Sequence, residues 1–298
     1  MKRTSGSLML LFTALIWGTA FVAQRLGMDY MGPITFQSVR MLLGFATLLP
    51  VVLLRRRRQR AAFRSPSPRA ALTCGLVLAA AGTLQQIGLT TTPAGKAGFI
   101  SALYVVLVPV LGLFLGRKTG TRTWIGVALS VLGLYLLSSV GRFSLSAGEC
   151  CILISALLYA LHILVIDRWA PGCDGTALSC LQFLVAGLAA LLPGLLLEQP
   201  ALAQIWRARW ALLYTGVLSC AVAYTLQIMG QQRVPPTLAS LIMSLESVFS
   251  ALAGALFLRE TMGGRELLGC GLMLLAVVLS QLPGREAQGE LQRKKGLG

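Results

Sequence analysis

The feature that most constrains this chain is the spacing of its charged residues, which leaves long uncharged stretches between them. Only 12% of the 298 residues are charged, against about 25% in soluble domains. The uncharged runs are 8–24, 41–54, 70–95, 97–116, 123–141, 150–166, 175–197, 210–232 and 267–284. Most of them approach or exceed the about 20 residues that a helix needs to cross a bilayer core. This pattern predicts a multi-pass membrane protein and argues against a water-soluble enzyme.

The composition of these runs favours helices over a transmembrane β-barrel. Leu, Ala and Gly outnumber the β-branched residues, and polar and apolar positions do not alternate as they do in barrel strands. We therefore predict an all-α integral membrane protein with ten transmembrane helices. The expected spans are 8–26, 34–54, 71–90, 97–116, 122–140, 149–168, 176–197, 209–230, 236–258 and 265–282.

The basic residues predict how the chain is oriented, because cytoplasmic loops carry the excess of Lys and Arg. Seven arginines lie between residues 55 and 69, including four in a row at 55–58. They predict a cytoplasmic basic loop at 55–70, and they would also attract anionic lipids. Both termini are then expected in the cytoplasm, with 285–298 as a cytoplasmic tail. A cleaved signal peptide at the N-terminus is the alternative, and it would leave nine spans.

The positive charge, +16 at pH 7, does not point to nucleic acid as a partner. A nucleic-acid footprint needs basic residues clustered on one folded face. In this chain they instead separate apolar helices, so the expected partners are the lipid bilayer and a small molecule.

The two halves of the chain repeat each other weakly. At a shift of 142 residues, the matched segments are 14–17 with 156–159, Arg40 with Gln182, and 83–85 with 225–227. Further along, a shift of 138 places 107–110 on 245–248. The repeat predicts one five-helix domain at 1–140 and a second at 141–284. Because five is odd, the second copy would enter the membrane from the opposite side, which gives two inverted repeats around a central site.

Several motifs resemble a known family. They are ALIWGTAF at 14–21, Gly32-Pro33, Phe36, Arg40, TPAGKAGFISALY at 92–104, LVPV at 107–110, SLESV at 244–248 and LRET at 258–261. Together they resemble an EamA-type member of the drug/metabolite transporter superfamily, over about residues 8–282. The resemblance implies a ten-helix carrier of the bacterial inner (plasma) membrane, often an exporter of amino acids or other metabolites. It also implies a central cavity lined mainly by the first four helices of each half.

The ionisable residues at membrane depth are the candidates for chemistry. Glu246 lies about ten residues, roughly 15 Å, into its span, where a carboxylate needs water, substrate or a partner. It is either a proton or cation site or a structural hydrogen-bonding group. Arg40 either contacts an anionic substrate group, snorkels to the headgroups or pairs structurally. His162 is either a second candidate for proton coupling or a packing residue, and as the only histidine it cannot form a multi-histidine metal site.

Polar and aromatic residues at mid-depth predict the substrate pathway, because small-molecule cavities combine apolar walls with a few directed polar groups. The predicted pathway residues are Trp17, Arg40, Gln85, Gln86, Tyr104, Tyr159, Tyr224, Gln227 and Glu246. The repeat matches Gln85 to Gln227, although each amide would also be able to tie helices together. Lys96, at the start of the fourth span, is expected as an interfacial anchor.

The sequence contains no phosphate-binding glycine loop, nucleophile elbow or Cys-x-x-Cys pair. We therefore predict no enzyme activity, no cofactor, no metal and no ATP-driven pump. The predicted function is a secondary active transporter, an exporter of small metabolites such as amino acids, that works by alternating access around a midplane cavity. The alternatives are an efflux carrier for multiple drugs or cationic compounds, and a channel or structural membrane protein.

Overall fold

A computed structural model describes residues 2–59, 62–117, 119–137, 146–257 and 263–281. Over these ranges the chain is helical and has no strand, which confirms the predicted all-α class. The helices are α1 (Lys2–Gly27), α2 (Pro33–Arg58), α3 (Pro68–Leu89), α4 (Ala94–Ser101), α5 (Tyr104–Phe114), α6 (Thr121–Leu137), α7 (Ala147–Trp169), α8 (Gly175–Glu198), α9 (Leu202–Arg207), α10 (Arg209–Leu213), a π-helical segment (Tyr214–Tyr224), α11 (Thr225–Gln231), α12 (Pro236–Met243), α13 (Glu246–Phe257) and α14 (Gly264–Gln281). The predicted cytoplasmic tail, 285–298, and the motif at 258–261 lie outside the described residues.

Eight helical stretches of the described chain are long and apolar enough to cross a membrane. They are Arg3–Gly27, Pro33–Arg58, Pro68–Leu89, Ala94–Phe114, Ala147–Trp169, Gly175–Glu198, Arg209–Gln231 and Pro236–Ala253. The helix α6 is apolar but shorter, and α14 has 18 residues. A multi-pass membrane protein is therefore confirmed, whereas the number ten stays a prediction.

The helix α8 shows how these spans are divided between protein and lipid. Its Ser179 and Gln182 are fully buried, whereas Leu192 and Leu197 are 64% and 73% exposed. In water such exposed leucines would be unfavourable, but in a bilayer they face acyl chains while polar groups face the bundle.

Local sequence signals explain where several helices begin. Proline at the first helical position, where no backbone N–H is needed, starts α2, α3 and α12. Ser67 caps α3 by accepting a hydrogen bond from the Ala70 N–H, and Asp174 caps α8 in the same way. Ser146 and Glu149 form a capping box at the start of α7.

The predicted basic loop begins later than expected. The four arginines at 55–58 form the last turn of α2 and are not part of a loop. Positive side chains are favourable there because the unsatisfied carbonyls at a helix C-terminus carry partial negative charge.

The fourth and ninth predicted spans are interrupted, so the prediction of continuous helices was wrong at these two places. The first break separates α4 from α5 at Ala102 and Leu103, and the second separates α12 from α13 at Ser244 and Leu245. Irregular backbone at membrane depth is tolerated where it is surrounded by protein or lines a cavity. All four residues at the breaks are buried or nearly so.

The helix bounds of the two halves follow one spacing. Shifting α4 by 142 residues gives the bounds of α12, and the same shift carries the start of α5 onto the start of α13. The predicted change of shift to 138 at residues 107–110 is therefore wrong. The structural register keeps 142 through both breaks and places Leu107 opposite Phe249.

Candidate functional site

A cavity of about 450 Å³ lies among the helices of both halves. The residues that line it are Trp17, Phe21, Gln24, Arg40, Gln85, Ser101, Tyr104, Tyr159, Ile163, Ser219, Tyr224, Gln227 and Glu246. They come from α1 to α5, from α7, and from the π-helical segment, α11 and α13. Eight of the nine predicted pathway residues are in this set, and the ninth, Gln86, is not.

The cavity lining contains four pairs of residues separated by 142 positions. The pairs are Trp17 with Tyr159, Phe21 with Ile163, Gln85 with Gln227, and Tyr104 with Glu246. Equivalent positions of the two halves therefore face the same space. The pairs differ in chemistry, because a tyrosine of one half faces the cavity where the other half has a carboxyl.

Arg40 points into the protein and does not snorkel to the headgroups, so that alternative is wrong in this conformation. Its side chain is buried, with 2% of its surface exposed. Its Nε donates to Gln37 Oε1 at 2.8 Å and its Nη1 to Gln24 Oε1 at 2.8 Å. These two amides fix the guanidinium from α2 and α1, because a rigid planar fork needs acceptors in defined directions.

Glu246 is the first residue of α13 and is 3% exposed. No Lys or Arg among the residues that the structure describes forms a salt bridge with it. The side chain of Tyr104, which begins the matched half-helix, lies beside it. Gly18 of α1 packs directly on this turn: a Cβ at Gly18 would lie 2.6 Å from the Glu246 carbonyl oxygen.

Hydrogen bonds and ring contacts join the remaining walls. Tyr159 donates to Gln85 Oε1 at 3.2 Å, and Gln85 donates to Ser101 Oγ at 3.1 Å. This chain of bonds connects α7, α3 and α4. On the opposite wall the rings of Trp17 and Tyr224 meet edge to face with centroids 4.7 Å apart, a favourable geometry for aromatic pairs.

Three polar atoms of cavity-lining residues are buried without a hydrogen-bond partner in the described part of the chain. They are Arg40 Nη2, Tyr104 Oη and Gln227 Oε1. Buried polar groups are nearly always satisfied, so such atoms on a cavity wall fit a polar guest molecule. Tyr159 is near enough to both Arg40 and Glu246 to interact electrostatically with each, while Arg40 and Glu246 do not pair with each other.

Two predicted residues lie behind the cavity wall. Gln86 donates to Gln24 Oε1, the same oxygen that accepts from Arg40. His162 is fully buried, its Nε2 lies 3.1 Å from Gln182 Oε1, and its ring packs edge to face on Tyr224. The arrangement of His162 matches the packing interpretation, although a role in proton coupling is not tested by it.

Five lining residues were not predicted from the sequence, namely Phe21, Gln24, Ser101, Ile163 and Ser219. The repeat would have suggested Phe21 and Ile163, because they match at the shift of 142. Gln24 carried a signal too, since it is an amide within a span. Ser219 contributes through the π-helical segment, where its carbonyl accepts from Trp17 Nε1 at 3.3 Å.

Three ion pairs join the two halves of the chain near the ends of the spans. They are Lys96 with Glu149 at 2.5 Å, Arg55 with Asp174 at 3.1 Å, and Arg117 with Asp167 at 2.5 Å. Lys96, expected as an interfacial anchor, is therefore the partner of a carboxylate on α7. Because Glu149 and Asp167 lie near opposite ends of α7, this helix is connected to the α4–α5 span at both ends.

No group of three or more His, Cys, Asp or Glu side chains that would suit a metal ion occurs in the described ranges. The cysteines there are all free thiols.

With this geometry established, comparison with known proteins is informative. The profile of the EamA-like transporter family matches residues 4–139 and again residues 146–282. The chain belongs to the EamA-like transporter family. Its members' name and the apolar helices together establish a protein of membrane transport.

Similar proteins of the EamA-like family are named as transporters. An uncharacterized transporter of Archaeoglobus fulgidus is 29% identical over 283 residues, which cover 94% of this chain and 87% of that protein. The threonine/homoserine exporter RhtA of Escherichia coli K12 is 28% identical over 294 residues, 94% of this chain and 92% of RhtA. The uncharacterized inner membrane transporter YedA of the same strain is 27% identical over 287 residues, 90% of this chain and 88% of YedA.

One solved crystal structure shares the fold. It superposes on this EamA-like chain with a TM-score of 0.78 at 17% sequence identity, covering 93% of this chain and 96% of that one. At this identity the likeness supports the fold alone.

Proposed function

We propose that this protein is a secondary active exporter of small zwitterionic metabolites, such as amino acids. The observation that carries the proposal is a buried guanidinium with a free Nη2 in the same cavity as a buried carboxyl, the two being held apart. Arg40 and Glu246 are 2% and 3% exposed and form no salt bridge with each other.

The energetics favour a guest that carries both charges. An uncompensated charged group at membrane depth costs at least about 2.5 to 3.5 kcal/mol. An amino acid would offer its carboxylate to Arg40 and its ammonium to Glu246, so one small molecule would compensate both groups. The volume of about 450 Å³ is within the range of small-molecule sites.

The proposed architecture is ten spans arranged as two inverted five-helix repeats. It is supported by the double match to the family profile, by the shared spacing of the helix bounds and by the four matched pairs of lining residues. Carriers built this way bind substrate between the repeats, often at interrupted helices. Both breaks of this chain place a residue in the cavity wall.

The proposed cycle is alternating access in the bacterial inner membrane, with both termini in the cytoplasm. Substrate enters from the cytoplasm, binds between Arg40 and Glu246, and leaves on the outer side after the halves rock. The ion pairs between the halves at the ends of the spans would open and re-form as the halves move. Glu246 would also bind the driving proton or cation.

A carrier for cationic compounds is the second candidate. The specific observation in its favour is that Glu246 shares the cavity with Trp17, Tyr159 and Tyr224, whose ring faces attract cations. Such a carrier would need Glu246 but would not need Arg40.

Counterflow in proteoliposomes tests the proposal. Vesicles loaded with unlabelled threonine should accumulate labelled threonine in a saturable manner, and Arg40→Gln and Glu246→Gln should each reduce this flux by about tenfold or more, as loss of a charged hydrogen bond does. Glu149→Gln, a carboxyl outside the cavity, serves as the control. If no amino acid of a broad panel gives counterflow while tetraphenylphosphonium does and Arg40→Gln leaves it intact, the cation carrier replaces the proposal. Flux that does not saturate would instead indicate a channel.

A further inference from the structure

A groove of about 1090 Å³ lies on the outside of the helix bundle, separate from the cavity. Val39 and Leu43 of α2 line one side, and Leu202 and Trp206 of the short helix α9 line the other. Every lining residue is apolar except Arg209. Leu202 and Trp206 are 84% and 70% exposed, so the groove is open to the surroundings of the bundle.

Arg209 lies at the edge of this groove in an unusual setting. Its guanidinium is over the rings of both Trp206 and Trp210, 4.9 Å and 5.4 Å from their centroids. Its Nη1 donates to the Trp206 carbonyl at 2.9 Å. Within the described ranges no Asp or Glu pairs with Arg209. The carboxylate of Glu198, just ahead on the chain, accepts from the Ile34 and Thr35 backbone N–H groups instead.

The surroundings place this guanidinium at the boundary between lipid and water. Tryptophans collect at that level of the membrane, and Trp206 and Trp210 are both 70% exposed. Arg207 adds a second positive charge next to them. An unpaired cation above an open apolar groove is complementary to a molecule with an anionic head and an apolar tail.

We propose that this groove binds one phospholipid, with an acyl chain along Val39 and Leu43 and its phosphate on the guanidinium of Arg209. Arginine suits phosphate because its planar donors bind two oxygens at once. The site is independent of the transported substrate. It also touches α2 one residue from Arg40, so an occupied groove would support the helix that carries the cavity cation.

Native mass spectrometry of the full chain in detergent, titrated with phosphatidylglycerol, tests this proposal. The wild-type protein should retain one tightly bound lipid. Arg209→Gln should weaken this binding by about tenfold, and diacylglycerol, which has the same tails without the phosphate, should bind the wild type about tenfold more weakly. Leu202→Glu provides a second variant that keeps the arginine. Leu202 is exposed, so the change is compatible with folding, and its carboxylate should repel the phosphate.

Arg265 offers a matched control. It also stacks on an aromatic ring, Tyr135 at 5.3 Å, and donates to a backbone carbonyl, but it does not border the groove. Arg265→Gln should therefore bind phosphatidylglycerol like the wild type. Equal binding by wild type and by both the Arg209→Gln and Leu202→Glu variants would overturn the proposal. Equal affinity for diacylglycerol, or the same loss in Arg265→Gln, would also overturn it.

Discussion

Tyr104 and Glu246 each begin the second half of an interrupted helix, 142 residues apart in the chain, and both side chains line the same cavity. The Tyr104 hydroxyl has no hydrogen-bond partner in the described residues. A neutral phenol thus stands in one half where an acid stands in the other. This asymmetry makes Glu246 the carboxyl of the cavity that a moving proton or cation would use.

Replacing Glu246 with Gln should remove the dependence of transport on a pH gradient. Glutamine keeps the shape and hydrogen-bonding ability of the side chain but cannot exchange a proton. The measurement is pH-driven uptake into inside-out vesicles compared with counterflow at equal pH on both sides. Glu149→Gln should leave the pH dependence unchanged because Glu149 pairs with Lys96 away from the cavity. Unchanged pH-driven uptake by Glu246→Gln would exclude proton coupling through this residue.

Replacing Gln24 with Leu should raise the KM for substrate by about tenfold, because Arg40 would lose the acceptor of its Nη1 and no longer be held in place. The measurement is the concentration dependence of counterflow. Gln86→Leu is the matched control, since Gln86 shares the same Gln24 oxygen but does not touch Arg40. Arg40→Lys should not retain wild-type KM, because an ammonium cannot reach both amides. Equal KM values for the Gln24 and Gln86 variants would refute a positioning role.

Replacing Gly18 with Ala should lower both thermal stability and transport. The new Cβ would lie 2.6 Å from the Glu246 carbonyl oxygen and 2.6 Å from Phe249 Cβ, so α1 and α13 would have to separate. The expected cost is about 1 to 3 kcal/mol, typical of overpacking, read as a fall in Tm in detergent. Gly95→Ala should be tolerated, since nothing lies within 4 Å of a Cβ there. Wild-type Tm in Gly18→Ala would show that the two helices are not in contact at this point.

The ion pair of Arg117 and Asp167 should contribute a small coupling energy. Gly116, with φ of +71°, ends α5 and turns Arg117 toward α7. Arg117 and Asp167 are 35% and 21% exposed, so solvent screening limits the coupling to about 0.5 to 1 kcal/mol. Comparing the Tm of Arg117→Gln, of Asp167→Asn and of the double variant measures it. Strictly additive losses would mean that the pair has no net interaction.

Native cysteines test the proposed orientation. In variants that keep a single cysteine, a membrane-impermeant maleimide added to intact cells should modify Cys150, near the outer end of α7, and should not modify Cys173. Burial and the neighbouring Asp174 carboxylate raise the pKa of Cys173. Its thiolate fraction is therefore small at neutral pH, and its labelling in permeabilised cells should accelerate as the pH rises. Labelling of Cys173 in intact cells would reverse the topology.

The class of this fold was predictable because hydropathy is a local property. A run such as 97–116 shows its apolar character without reference to any neighbour. The interruptions were not predictable, since Ala102-Leu103 and Ser244-Leu245 contain neither glycine nor proline and differ in chemistry. Only the cavity on one side of each break makes the irregular backbone tolerable there.

The sequence by itself determined that polar and aromatic side chains at membrane depth would converge, because each is costly against lipid and must turn inward. Eight of the nine residues chosen on that ground line the cavity. What only the tertiary structure decided is the direction and partner of each side chain. Arg40 faces inward because Gln24 and Gln37 from two helices accept its protons, and Gln86 lies behind the wall because Gln24 accepts from it too. These bonds join residues far apart in the chain, so no local pattern contains them.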